Sequence, residues 1–132
     1  MAAIERPVAK RRPIYLNLLA IRQPLPAIVS ILHRISGALL FAVGIPLLLW
    51  FVQTSLASSQ GFEAAFGPLS SWFGKLVLLA LAWAYIHHVL AGLRHLALDL
   101  HIGADLAPAR IASAIVMVIA VLLTLIVAVR LW

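Results

Sequence analysis

The sequence predicts an all-α integral membrane protein built on three spanning helices, and three observations carry that prediction. Apolar residues make up 64% of the 132 positions and charged residues only 11%, with a mean hydropathy of +1.10, too apolar for a soluble domain of this length. Three runs without Asp, Glu, Lys or Arg cover residues 35–53, 76–93 and 111–129, each near the ~20 residues that cross a bilayer as a helix. The net charge of +6 is also unevenly placed. Arg6, Lys10, Arg11, Arg12, Arg22 and Arg34 precede the first run, Arg94 and Arg110 lie between the second and third, and only Lys75 and Arg130 remain. This is a positive-inside pattern that puts the N-terminus and the second loop in the cytoplasm, with loop 54–70 and the C-terminus outside.

The chain accordingly divides into a basic cytoplasmic arm over residues 1–27 and a membrane domain over 28–132, with spanning helices near 29–53, 70–98 and 109–131. The arm carries Pro7 and Pro13 among its cations and is not followed directly by a short apolar segment, so it does not read as a cleavable signal peptide. Pro24 and Pro26 precede the first helix, Pro68 the second and Pro108 the third, positions that proline tolerates at a helix start. Pro46 falls inside the first apolar run and should kink that helix unless neighbours satisfy the released carbonyl. Residues 55–71, with Ser58, Ser59, Gly61 and Gly67, read as a solvated turn.

Basic residues are not interleaved with aromatics in a soluble patch, which argues against nucleic-acid binding. The absence of cysteine excludes disulfides, thiolate metal sites, an iron–sulfur cluster held by this chain and thioether-linked haem. Any redox centre must be held by histidine.

The second run continues into His87-His88-Val89-Leu90-Ala91-Gly92-Leu93-Arg94-His95 and on to Asp99. An ionisable group in hydrocarbon costs roughly 2.5 kcal/mol or more, so it turns toward a ligand, a cofactor or a partner. At 100° per residue His88, Gly92, His95 and Asp99 share one stripe, and His88 lies about 10 Å deeper than His95. The stripe suits a porphyrin: His88 as axial imidazole, Gly92 leaving room for the macrocycle, and Arg94 and His95 near the propionates. His87 faces about 100° away and is the rival ligand. A histidine engaged in an interhelical hydrogen bond is the plain alternative.

On the first helix, Ser30, Arg34 and Gly37 share a stripe with Gly44, and His33 lies beside it. A hydroxyl and a guanidinium at the membrane edge suit the carbonyl oxygens of a quinone headgroup or a propionate. An ordinary helix start with a snorkelling arginine fits the spacing equally well. Gly37 and Gly44 read as packing positions, and Trp50, Trp72 and Trp132 as interfacial anchors.

Arg12-Pro13-Ile14-Tyr15-Leu16-Asn17-Leu18 with Ile21-Arg22-Gln23-Pro24, followed by Ser30-Ile31-Leu32-His33-Arg34-Ile35-Ser36-Gly37, resembles the cytochrome b556 membrane-anchor family of succinate dehydrogenase. The second motif, His88, three residues, Gly92, one residue, Arg94-His95 and a later Asp99, is similar to the family's haem-ligand signature. The resemblance implies a helix bundle formed with a second anchor subunit in the bacterial inner membrane, with the N-terminus cytoplasmic and the C-terminus periplasmic. It implies haem b shared with that anchor, His88 as axial ligand to iron, and propionate contacts from His33, Arg34, Arg94 and His95. Ser30 and Arg34 match the family's ubiquinone site. FAD and iron–sulfur clusters would belong to the flavoprotein and iron–sulfur subunits, leaving no dehydrogenase active site on this chain. Other readings are a fumarate reductase-type anchor working with a menaquinol, a purely structural anchor, and a small proton-coupled transporter. The transporter would call for an acid in mid-membrane, where this chain has none.

Overall fold

A computed structural model describes residues 20–132. Most of the expected basic arm, including Arg6, Lys10, Arg11, Arg12 and the segment 12–18, lies outside the described residues.

Three helices are long and apolar enough to cross a membrane. The first, α1, spans Leu25–Ala57. Pro24 caps it with extended backbone and Pro26 sits in its first turn, where a missing N–H costs nothing. The expected disturbance at Pro46 takes a specific form: Leu40–Gly44 winds as a π-turn, in which Ile45 N–H reaches the carbonyl of Leu40. Pro46 has no N–H for the carbonyl of Ala42 and its ring crowds that oxygen. The wider turn absorbs the mismatch and the helix continues.

Residues 55–71 are not the expected solvated turn. Ser59–Ser70 form a short helix, α2, whose first turn is capped by Ser58 accepting the Gly61 N–H at 2.9 Å. Phe62 and Phe66, one turn apart, stack at 5.9 Å, and Phe62 meets Phe51 of α1 edge-on at 6.3 Å. Ala65 is fully buried. These contacts fold α2 back on α1 and outweigh the turn-forming composition. Pro68 therefore lies in the last turn of α2 rather than opening the second crossing. That crossing, α3, runs Trp72–Asp99 and is capped by Ser71, which accepts the Gly74 N–H at 3.0 Å.

Helix α3 ends in a tight reversal. His101 adopts φ 61°, while Ile102 N–H bonds to the Ala97 carbonyl and His101 N–H to that of Leu98, both at 2.9 Å. This pattern closes a helix through one left-handed residue. The third crossing, α4, spans Leu106–Leu131, and its Ser113 and Thr124 hydroxyls donate back to the carbonyls of Ala109 and Ala120. At the far end the Lys75 ammonium lies 5.5 Å above the Trp132 ring.

Val29, Ala91 and Val116, one from each crossing, form the core, with Leu90 and Met117 against it. Ala84, Ala109 and Ala120 are also buried. Small residues at these contacts let the backbones approach, which matters because lipid offers no hydrophobic force between helices. Large apolar side chains such as Leu48, Leu122 and Val129 point outward.

Candidate functional site

Helix α3 is uninterrupted, so the helical phase of its histidines survives intact. His88 and His95 both turn toward α1. The His33 ring stacks on His88 with centroids 4.1 Å apart and planes 14° from parallel, and lies 5.1 Å from the ring of His95. His33 thus bridges two histidines separated by nearly two turns. Its Nε2 lies 3.6 Å from where a Cβ on Gly92 would be. Gly92 leaves room here for an imidazole from α1.

His88 is held from α1 as well. Its Nδ1 is 3.0 Å from the backbone oxygen of His33 and 3.3 Å from Ser36 Oγ, while Ser36 Oγ–H donates to the same His33 carbonyl at 2.9 Å. A carbonyl oxygen only accepts, so Nδ1 carries the proton and Nε2 keeps its lone pair. No hydrogen bond engages Nε2 among the described residues. A Cβ at Gly37 would stand 2.7 Å from His88 Cε1, so Gly37 is a seat for this ring as well as a packing position. Ser36 and Gly37 were the missed members of the site. Their signal was a pair of small residues one turn after His33.

His87 faces elsewhere. It is fully buried, its ring lies 5.5 Å from that of Trp83 and 17° from parallel, and neither ring nitrogen has a hydrogen-bond partner among the described residues. His87 is closed inside this chain.

A family model described as "Succinate dehydrogenase/Fumarate reductase transmembrane subunit" matches residues 8–127. The chain belongs to that family. Among its relatives is the succinate dehydrogenase cytochrome b556 subunit of Paracoccus denitrificans, 39% identical over 102 residues that cover 77% of this chain and 78% of the relative. Another is the protein of that name from Coxiella burnetii, 33% identical over 124 residues, 92% and 98% of the two chains. A third, from Rickettsia prowazekii, is 28% identical over 125 residues, 95% and 97%. This chain is accordingly a membrane-anchor subunit of the succinate dehydrogenase type.

Within this anchor, the residues singled out from the sequence fall into three groups. His33, His88 and His95 come together. Ser30 and Arg34 lie one turn apart on α1, the first half-buried and the second exposed, and neither forms a hydrogen bond or ion pair among the described residues. Arg94 is not brought to the histidines. Six residues past His88 it is turned about 120° away, and it lines a groove between α3 and α4 with Pro108, Ile111 and Ala112. Asp99 and His101 are exposed, and Asp99 pairs with no basic side chain among the described residues.

Proposed function

We propose that this anchor holds haem b through His88 Nε2 and helps deliver electrons from succinate to ubiquinone. The observation that carries the reading is the Nδ1 contact of His88 with the His33 carbonyl. Metal-bound histidines donate their second ring N–H to a carbonyl, carboxylate or water, which fixes the tautomer and makes the ligating nitrogen more basic. The side chains present fit the group: a neutral imidazole for iron, with His33, Arg34 and His95 toward the edge where propionates would meet cations and water. Bound there, haem b supplies a one-electron reservoir. The relatives' name, cytochrome b556, supports the same assignment.

A histidine of a second anchor subunit would supply the other nitrogen to the iron, because His87 is buried inside this chain and His33 and His95 are grouped with each other beside His88. The flavoprotein subunit oxidises succinate and the iron–sulfur subunit passes the electrons on. At the quinone site the Ser30 hydroxyl donates to a carbonyl oxygen of ubiquinone, and the Arg34 guanidinium stabilises the negative charge that grows there as electrons arrive. Protons enter from the cytoplasmic side, the side assigned to the end of the bundle that carries Arg22, Arg34, Arg94 and Arg110. On this reading the complex sits in a bacterial inner membrane with the C-terminus periplasmic.

The test is a dithionite-reduced minus oxidised spectrum of the assembled complex. The b-type bands should vanish in His88→Ala and persist in His87→Ala. Loss in His87→Ala with retention in His88→Ala overturns the assignment.

A further inference from the structure

We infer that Arg94 and the groove between α3 and α4 form a binding site for one anionic phospholipid, separate from the histidine face. The groove encloses about 560 Å³. Its lining is otherwise apolar, with Leu90, Ile115 and Val116 toward one end and Gly103 and Pro108, where the chain reverses, at the other. Arg94 is its only charged lining residue among the described residues. The arginine Nε is buried and has no hydrogen-bond partner, and no carboxylate pairs with the guanidinium among the described residues. Asp99 and Asp105, the acids at this end of the bundle, are exposed and leave it unpaired.

Nε is closed off by this chain, whereas the Nη groups are neither buried nor hydrogen-bonded among the described residues, and an anion meeting them gains a charge-assisted hydrogen bond. The rest of the groove offers only hydrocarbon surface, so the ligand must join an anion to an apolar chain. Arg94 stands five residues before the end of α3, about 7.5 Å along the axis, which is headgroup depth for a helix crossing a bilayer. Arg110, exposed in the first turns of α4, adds positive potential at the same end, and surface cations of this kind draw anionic lipid. A phosphate oxygen at Arg94 with one acyl chain running toward Leu90 and Val116 satisfies both halves of the groove. The inference does not depend on haem or on the quinone site.

The experiment uses the assembled complex, purified in detergent, stripped of lipid and titrated with phosphatidylglycerol or phosphatidylcholine, with bound lipid counted by native mass spectrometry. Wild type should bind phosphatidylglycerol more tightly than phosphatidylcholine. Arg94→Gln should weaken phosphatidylglycerol by about tenfold or more, the scale of a charge-assisted hydrogen bond, and weaken phosphatidylcholine, whose phosphate is offset by its own ammonium, by less, while Arg94→Lys keeps most of the preference. Ala112→Phe, which fills the groove and retains the arginine, should also abolish it, and decides the matter if Arg94→Gln fails to assemble. Equal phosphatidylglycerol binding by wild type and either Arg94→Gln or Ala112→Phe overturns the inference. So does a wild-type complex that binds neither lipid because a partner subunit or residues 1–19 cover the groove.

Discussion

His88 Nδ1 lies 3.0 Å from the backbone oxygen of His33, so a residue on one crossing sets the tautomer of a residue on another. The bond runs to the main chain. It therefore survives any substitution at position 33 that keeps α1 helical, and the orientation of His88 depends on how closely α1 and α3 approach. That approach is governed by Gly37.

Gly37→Ala should strip the complex of most of its b-type absorbance. The added Cβ would stand 2.7 Å from Cε1 of His88 and 3.2 Å from Nδ1, forcing the ring off the His33 carbonyl at the ~1–3 kcal/mol typical of overpacking. Gly92→Ala is the control. Its Cβ would meet His33 Nε2 at 3.6 Å, an ordinary contact, so the spectrum should persist. The reverse pattern would mean that the macrocycle, not His33, lies against Gly92.

His87→Phe should leave the thermal stability of the assembled complex within about 1 kcal/mol of wild type, or raise it. Both ring nitrogens are buried without partners, so a ring of similar shape removes a desolvation penalty while keeping the stack on Trp83. A loss of more than about 2 kcal/mol, the scale of a broken buried hydrogen bond, would show that the imidazole is paired in the complex.

Two glycines at the α2–α3 corner should respond in opposite directions. A Cβ on Gly74 would stand 2.6 Å from the Cα of Leu69; backbone cannot swing aside, so Gly74→Ala should impair assembly. Gly67 has nothing within 4 Å of an added Cβ and lies within α2, so Gly67→Ala should stabilise by about 0.5–1 kcal/mol through helix propensity. Thermal denaturation of the two variants side by side checks both.

Phase on a single helix was readable from sequence. His88 and His95 share a face and His87 does not, because α3 runs unbroken at 100° per residue. The same arithmetic turns Arg94 from that face, yet its depth at the membrane edge beside His95 grouped it with the propionate contacts. What a face meets was not readable. Gly92 reads as space, and nothing on its own helix reveals that His33 lies against it. Helix α2 was missed because Ser58, Gly61 and Pro68 are turn-formers in isolation, and only Phe51 against Phe62 makes a helix the better arrangement.

Ser30→Ala and Arg34→Leu should lower quinone-linked turnover while succinate oxidation with a soluble acceptor stays intact. Neither side chain is tied down within the described residues, and i, i+4 spacing puts both on one face of α1, so each is free to meet a headgroup. Losing the hydroxyl removes one hydrogen bond to a carbonyl oxygen, a neutral contact. Losing the guanidinium removes the charge opposing the developing anion, so the arginine variant should fall further, by about 100-fold or more if that charge acts as a preorganised oxyanion donor. Equal small losses in both would reduce Arg34 to a snorkelling interfacial cation. Unchanged quinone turnover in both variants would move the site off this face altogether.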